Sequence, residues 1–359
     1  MHAPKNGFFY VLDRRDGRLL SAEKFTPVNW ASRIDPETGR PVETPGARFE
    51  SAPFVSTSGG AGAHNWHPMS YSPDTGLVYI PAMQVPFVYA NEANFEARPG
   101  EWNLGVDLLG SPLPPDAEAR AAIVAGLQGR LIAWDPKAQR EAWRVEHAAP
   151  WNGGTLATAG GLVFQGTVDH TFRAFDATSG TELWRFPTQD AVIAAPISYT
   201  IDGVQYVAVA VGNGGGMPLT LPTFDGPKAT PNGRLLVFAL DGEQTLPAFT
   251  APVRTPVELR SADAKALTAA ETAQAFALYG RFCAACHGIE TLSAGVLPDL
   301  RYSRLAEDSA AWRAVVLDGA LEARGMVGFG AKLSPADAEL IRRYVGEQAQ
   351  HLAAAAPAS

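Results

Sequence analysis

Cysteine is nearly missing from this chain: two in 359 residues, Cys283 and Cys286. A disulfide framework is excluded. No run of 18 apolar residues occurs, so no segment reads as a transmembrane helix. A basic excess is also lacking. Lys and Arg number 29 against 37 Asp and Glu, a formal net charge of −8. That balance argues against nucleic acid, whose affinity comes largely from Lys and Arg on phosphates. The start, Met1-His2-Ala3-Pro4-Lys5-Asn6-Gly7, carries no basic segment, long apolar stretch or small-residue cleavage site, so no export signal is read there. What remains is globular: 46% hydrophobic and 18% charged residues exclude a largely disordered chain. Glycine (35) and proline (28) together exceed the roughly 12% of an average protein, which suits many turns. The length predicts two or three domains.

Residues 1–245 read as β structure. Short apolar runs alternate with Gly, Pro and Asp turns: Phe8–Leu12, Gly76–Ile80, Gly161–Phe164, Tyr206–Val211 and Leu235–Leu240. Runs of this length, rich in β-branched and aromatic residues, fit strands better than helices. A repeat is visible. Ala133-Trp134-Asp135 precedes Trp143, and Ala174-Phe175-Asp176 precedes Gly180 and Trp184; the copies lie 41 residues apart. Val11-Leu12-Asp13 and Ala239-Leu240-Asp241 are weaker copies without the Trp. A period near 40 built from strand, Asp-Gly turn and strand is what propeller blades produce. Hairpins that merely share turn chemistry are the alternative.

Residues 246–266 read as a linker holding Pro247, Pro252 and Pro256. The character then changes. Thr268-Ala269-Ala270-Glu271 is a capping box opening a helix to about Cys283. Ser334-Pro335-Ala336-Asp337 opens another, with Pro in its first turn. A small helical domain over 267–352 is expected, with a frayed tail at 353–359.

Cys283-Ala284-Ala285-Cys286-His287 is the strongest signal. Two thiols at this spacing can add to the two vinyl groups of one haem, with the adjacent His beneath the iron. A zinc site needs four ligands, and no second Cys pair exists; a thioredoxin-like site needs a βαβ context. For the sixth ligand only Met326 and His351 qualify downstream. Met326 lies between Gly325 and Gly328, which permit close approach to a flat macrocycle. A core Met is the alternative. His351 lies beside the tail. Capped helix, Cys-x-x-Cys-His, Pro-containing loop, Met and terminal helix together resemble class I cytochrome c. The resemblance implies that the Pro298 carbonyl accepts the Nδ1 proton of His287.

Propeller, proline-bearing linker and cytochrome c in that order resemble the quinohaemoprotein alcohol dehydrogenases, which use pyrroloquinoline quinone (PQQ). The segments that carry the resemblance are Ala3–Asp13, Gly62–Ser70, Trp151–Gly160 and Tyr206–Gly216. It extends over nearly the whole chain. It implies PQQ contacts: Lys5 at the reactive quinone carbonyls, Asn65 and Trp66 at the cofactor edge, Trp151 at its rim. A cation at Lys5 would stabilise charge as hydride arrives, and the Asn65 amide can serve both a carbonyl and a ring nitrogen. Trp143 and Trp184 read as packing residues, the alternative for Trp151 too. The Gly212–Gly216 loop is a further candidate for close approach.

The family's propeller has eight blades, and 245 residues at roughly 40 per blade supply about half. Its vicinal disulfide, calcium-binding Glu and Asn, Arg and Thr contacts, aromatic platform and catalytic Asp all lie upstream of the Lys5 motif. The expectation is therefore a partial β-propeller followed by a small all-α cytochrome c domain. In the complete enzyme an alcohol is oxidised at PQQ beside calcium, and electrons leave through haem c to an external acceptor such as a small redox protein. The chain alone is expected to be inactive, completed by the missing N-terminal part of the propeller or by a complementing chain, and periplasmic. The other readings are an electron-transfer cytochrome on a β scaffold without quinone chemistry, and a gene remnant unable to fold.

Overall fold

The computed structural model describes residues 1–98, 103–107, 118, 125–212, 233–250, 254–259, 265–293 and 297–355. It divides into two compact units: Met1–Asn213 with Pro231–Phe249 in one, Thr250–Ser359 in the other.

The first unit is a succession of antiparallel sheets. β1 (Phe8–Leu12) pairs with β2 (Leu19–Lys24). Two hairpin-like pairs follow, β3 (Ala31–Ile34) with β4 (Pro41–Glu43), and β5 (Phe54–Ser56) with β8 (Phe87–Tyr89). A four-stranded sheet has the order β10-β9-β7-β6, from β6 (Ser70–Ser72), β7 (Leu77–Gln84), β9 (Gln128–Asp135) and β10 (Arg140–His147). The next four-stranded sheet is β11 (Thr155–Ala157), β12 (Leu162–Thr167), β13 (Thr171–Asp176) and β14 (Glu182–Pro187) in sequence order. The last joins β15 (Ile197–Ile201), β16 (Val204–Val211) and β17 (Arg234–Ala239).

Strand alternation explains how the sheets stack. Successive side chains point to opposite faces. Val78, Ile80 and Ala82 of β7 pack with Phe9 and Phe25 on the β1–β2 side. Their neighbours Leu77 and Tyr79 pack with Val163, Phe175 and Ala177 of the following sheet. Phe172 and Val192 then meet Val207, Val209 and Leu236 of the last sheet. β7 is thus buried on both faces and reads as a continuous apolar run. On the last sheet the other face is open: Ile197, Ile201, Leu235 and Val237 are all about half exposed or more.

The repeated Asp and Trp have defined roles. Asp135 Oδ1 accepts from the amides of Lys137 and Ala138, and Asp176 Oδ1 from those of Thr178 and Ser179. These Asx turns close the β9–β10 and β13–β14 hairpins. Trp143 donates Nε1–H to the Ala177 carbonyl at 3.2 Å, and its ring lies so close over Gly180 that a Cβ there would fall 2.5 Å from it. Trp143 thus docks its sheet edge onto the next turn, whereas Trp184 packs on the rings of Phe172 and Phe238. The first unit is a partial propeller with open ends, as its sequence predicted.

The second unit is helical. α1 (Ala269–Phe282) begins at the Thr268 cap: Thr268 Oγ1 accepts from the Glu271 amide, and Glu271 Oε2 accepts from the Thr268 amide at 2.8 Å. The Thr268 bonds and Arg343 hold the Glu271 carboxyl down to about 2. α2 (Ala284–His287) is one turn long. α3 (Ser309–Val316) is capped by Asp308 and was not foreseen in the sequence. α4 (Pro335–Ala355) buries Ala338, Ile341, Tyr344, Val345 and Ala349, a 3.6-residue stripe. Tyr344 packs against Tyr279 of α1, ring centroids 5.7 Å apart. The expected frayed tail is helical through Ala355; residues 356–359 lie outside the described residues. Val257, in the segment read as a linker, is 2% exposed within this helical core and donates its amide to Arg301 O. Among the described residues no helix is long and apolar enough to cross a membrane.

Candidate functional sites

In the helical unit the site follows the chain closely. Cys283 ends α1, and the α2 turn carries Cys286 and His287 on the same short piece of backbone. Gly288 follows with φ 82°, a value that favours glycine, and turns the chain away. Both cysteines are free; Cys283 is buried and Cys286 exposed. Burial, with Cys286 adding to it, pushes the Cys283 thiol up to about 12. Such a thiol is neither a redox nucleophile nor a ready metal thiolate. A buried uncharged sulfur suits a thioether.

His287 is 8% exposed, and its Nδ1 lies 2.8 Å from the Pro298 carbonyl oxygen. The carbonyl can only accept, so Nδ1 carries the proton and Nε2 is the nitrogen with a lone pair for iron. The carbonyl is itself fixed. Asp299 next to it caps the turn at Leu300–Tyr302 and pairs with Arg301 at 2.6 Å. The His287–Pro298 contact is the one the sequence implied.

Met326 is half-buried and packs against the core that includes Cys283 and Ala284. Its loop is folded back on the end of α3: Phe329 N donates to Val316 O at 2.7 Å, Met326 N to Leu321 O at 3.2 Å. A Cβ on Gly328 would lie 2.9 Å from Gly319 N, so the close turn needs the glycine. His351 is exposed on the last turns of α4. The donor set of two thiols, one oriented imidazole and a thioether fits haem c.

The site of the β unit is assembled from distant segments. Lys5 is exposed, and Nζ donates to Gly60 O at 3.2 Å. Gly62, at φ 84°, lies under its stem; a Cβ there would fall 2.5 Å from Lys5 Cβ and Cγ. Ala63 N donates to Lys5 O at 2.9 Å. Asn65 donates Nδ2–H to Ala61 O at 2.7 Å and accepts at Oδ1 from the Trp66 amide at 2.8 Å. The amide keeps one further N–H and one lone pair. Trp66 is 53% exposed and stacks on His67, centroids 4.1 Å apart. Trp151 is buried at φ 70° and meets the Trp66 ring edge-on at 6.3 Å. Thr155 N donates to Pro68 O at 3.0 Å, tying the Trp151 strand to the Trp66 segment. Lys5, Asn65, Trp66 and Trp151 are thereby linked into one wall. Asn213–Gly216, singled out in the sequence, lie outside the described residues.

Trp151 Nε1 is buried without a hydrogen-bond partner, and so are both ring nitrogens of His67. With a lysine ammonium and a spare amide beside it, this donor-rich wall fits an anionic, oxygen-rich ring such as PQQ. Burial, then the neighbouring His64, lowers the His67 pKa to about 3, so the ring is neutral. Sequence reasoning gave no role to His64, His67 or Gly62. Their one signal was two histidines bracketing Asn65-Trp66. Among the described residues no three His, Cys, Asp or Glu gather as a metal cage.

The family model for the glucose/ethanol/alcohol dehydrogenase β-propeller domain matches residues 123–207. A cytochrome c model, described as cytochrome c oxidase, cbb3-type, subunit III, matches residues 270–345. Quinohemoprotein alcohol dehydrogenase ADH IIB of Pseudomonas putida is 45% identical over 96% of this chain and 49% of its own length. The 1-butanol dehydrogenase (cytochrome c) of Thauera butanivorans is 42% identical over 96% of the chain and 49% of its own length. Among solved structures, alcohol dehydrogenase ADHIIG of P. putida HK5 superposes with a TM-score of 0.87 at 35% identity, covering 99% of this chain and 52% of that one. The Comamonas testosteroni quinohemoprotein alcohol dehydrogenase gives 0.76 at 39%, covering 98% and 50%. The chain spans about half the length of the curated relatives it matches.

Proposed function

We propose, from the homology of this chain to quinohaemoprotein alcohol dehydrogenases over nearly its whole length, that it forms one wall of a PQQ site and a complete electron-exit domain of a periplasmic alcohol-oxidising enzyme. The observation that carries the reading is the His287 Nδ1–Pro298 O contact directly after a Cys-x-x-Cys turn. When bound, PQQ supplies two-electron oxidation of an alcohol and haem c supplies one-electron transfer.

The residues divide the work. Cys283 and Cys286 would hold haem c by thioethers, and His287 and Met326 would donate to its iron. The Pro298 carbonyl keeps the His287 proton on Nδ1 and so orients the ring. Lys5 presents an ammonium to the quinone oxygens, where it stabilises negative charge. Asn65 adds a directional N–H, and Trp66 and Trp151 bound the ring and exclude water. The general-base Asp and the calcium ligands belong to residues outside this chain, supplied by the rest of the propeller or by a complementing polypeptide. A small redox protein is the electron acceptor.

The Cys-x-x-Cys turn and the His287–Pro298 contact lie wholly within the helical unit, which favours one second reading: an electron-transfer cytochrome on a β scaffold, without quinone chemistry. Export of the chain with a haem-maturation system tests both. Covalent haem in a pyridine haemochrome assay is expected, and none would end both readings. Dye-linked oxidation of ethanol or butanol by the chain with PQQ and calcium is expected to stay at the no-protein blank. Quenching of indole emission by added PQQ separates the first reading, which requires it, from the second.

A further inference from the structure

We infer that His64 is the positioning residue of the quinone-facing wall: a buried imidazole that bridges the Ala3 carbonyl and the His67 carbonyl and so fixes Lys5 against Asn65 and Trp66. The inference rests on the quinone reading above and deepens it.

The geometry is direct. His64 Nδ1 lies 2.5 Å from Ala3 O, and Nε2 lies 2.6 Å from His67 O. Both partners are backbone carbonyls and can only accept. A neutral imidazole has one N–H, so one nitrogen lone pair would face an oxygen lone pair at hydrogen-bond distance. A neutral ring donates to one carbonyl and sets its other nitrogen against the second, so either tautomer keeps the bridge between the two segments. The ring is 7% exposed, so water has little access to either contact. Burial lowers the His64 pKa, and the two carbonyls oppose that only in part. The clasp rests on the two contacts and not on the charge of the ring. The titratable groups that act on His64 are His2 and His67. His67, held neutral, adds no repelling charge.

The clasp joins segments 61 residues apart in sequence. One carries Ala3-Pro4-Lys5 and the other His64-Asn65-Trp66-His67. The Ala63 N–Lys5 O bond lies beside it, and Met83 N in turn holds Ala63 O. Releasing the ring would free the Lys5 lead-in at Ala3 and the Trp66 stack at His67 together. His64 need not touch the quinone; it sets where Lys5, Asn65 and Trp66 stand.

The test uses the full chain. Ring-nitrogen NMR on ¹⁵N-histidine protein, with His64 assigned from its loss in His64→Phe, should show a His64 N–H at neutral pH that exchanges slowly with solvent, as a buried donor held on a carbonyl does. A His64 N–H that exchanges as fast as those of exposed histidines would overturn the inference, and this measurement needs no quinone. PQQ titration with calcium, followed by indole quenching, should need about ten-fold more PQQ in His64→Phe, the scale on which supporting contacts act. Equal half-saturation in the two proteins overturns the positioning role and leaves the quinone reading intact. No quenching of the unmodified chain overturns the quinone reading and the role together.

Discussion

In the proposed function the two units share one task, holding a large planar cofactor, and meet it over different sequence ranges. In the helical unit the Cys283–His287 turn and Pro298 lie within 16 residues, and Met326 follows in the loop before the last helix. In the β unit the wall comes from Lys5, Asn65-Trp66 and Trp151, brought together by backbone bonds across sheets. One site is local and self-contained. The other depends on the stacking of sheets far apart in sequence. A local site can be read from a motif. A distributed one is read only after the sheets are in place.

The sharpest break of this comparison is removal of the local motif. The Cys283→Ser/Cys286→Ser double variant should lose all covalent haem, read as full extraction of haem into acidified acetone. The β unit should keep its strand signal in far-ultraviolet circular dichroism. Residues 250–359 alone should take up covalent haem. A piece starting at 260 drops Val257, 2% exposed, and should be less stable by about 2 kcal/mol for one buried Val; thermal melts of the two pieces decide it.

Next comes the iron. Met326→Ala should abolish the weak near-infrared sulfur-to-iron band of the ferric protein. It should also lower the reduction potential by a fraction of the roughly 0.8 V that axial ligation commands. His351→Ala should change neither. Retention of the band in Met326→Ala would reassign the ligand.

Acid should separate the units. His67 has its pKa depressed to about 3, so its contribution is present above the unfolded value near 6.5. It is lost as pH falls from there toward 3, on the order of a few kcal/mol at most. Glu271, held down to about 2, contributes above its unfolded value near 4.5 and loses that only as pH falls toward 2. Indole emission should therefore report loosening of the β unit before the helical circular dichroism signal declines. Simultaneous loss would refute the order.

Smaller effects test the turns. Gly180→Ala puts a Cβ 2.5 Å from the Trp143 ring at φ 73° and should cost about 1–3 kcal/mol by overpacking. Gly325→Ala, at φ 89° with open space around it, should cost only the backbone strain of roughly 1–2 kcal/mol. Thr268→Ala removes the α1 cap and should cost about 1 kcal/mol. Urea denaturation ranks the three.

The contrast also explains what was legible. Thr268 and Glu271, three apart before an apolar run, announce a cap because the physics is local. The Asp135 and Asp176 turns announce hairpins for the same reason. α3 was missed although Asp308-Ser309 marks its start, because its eight residues show too little periodicity. The segment at 254–259 read as a linker because one buried Val257 makes no pattern. His64 and His67 carried no readable role, since a carbonyl 61 residues away and one three residues on define the first and two tryptophan rings the second.

Burial of β7 on both faces has a consequence for how this unit comes apart. The β1–β2 side, the β7 sheet, the β12–β13 sheet and the last sheet pack one on the next, so the unit is treated as a short one-dimensional array with nearest-neighbour coupling. Such an array frays from its termini inward. Amide exchange should be fastest in β1–β2 and β15–β17 and slowest in β7, β9, β12 and β13. The Lys5 lead-in sits at one fraying end and Trp151 near the protected middle, so the wall would lose its cation before it loses its indole.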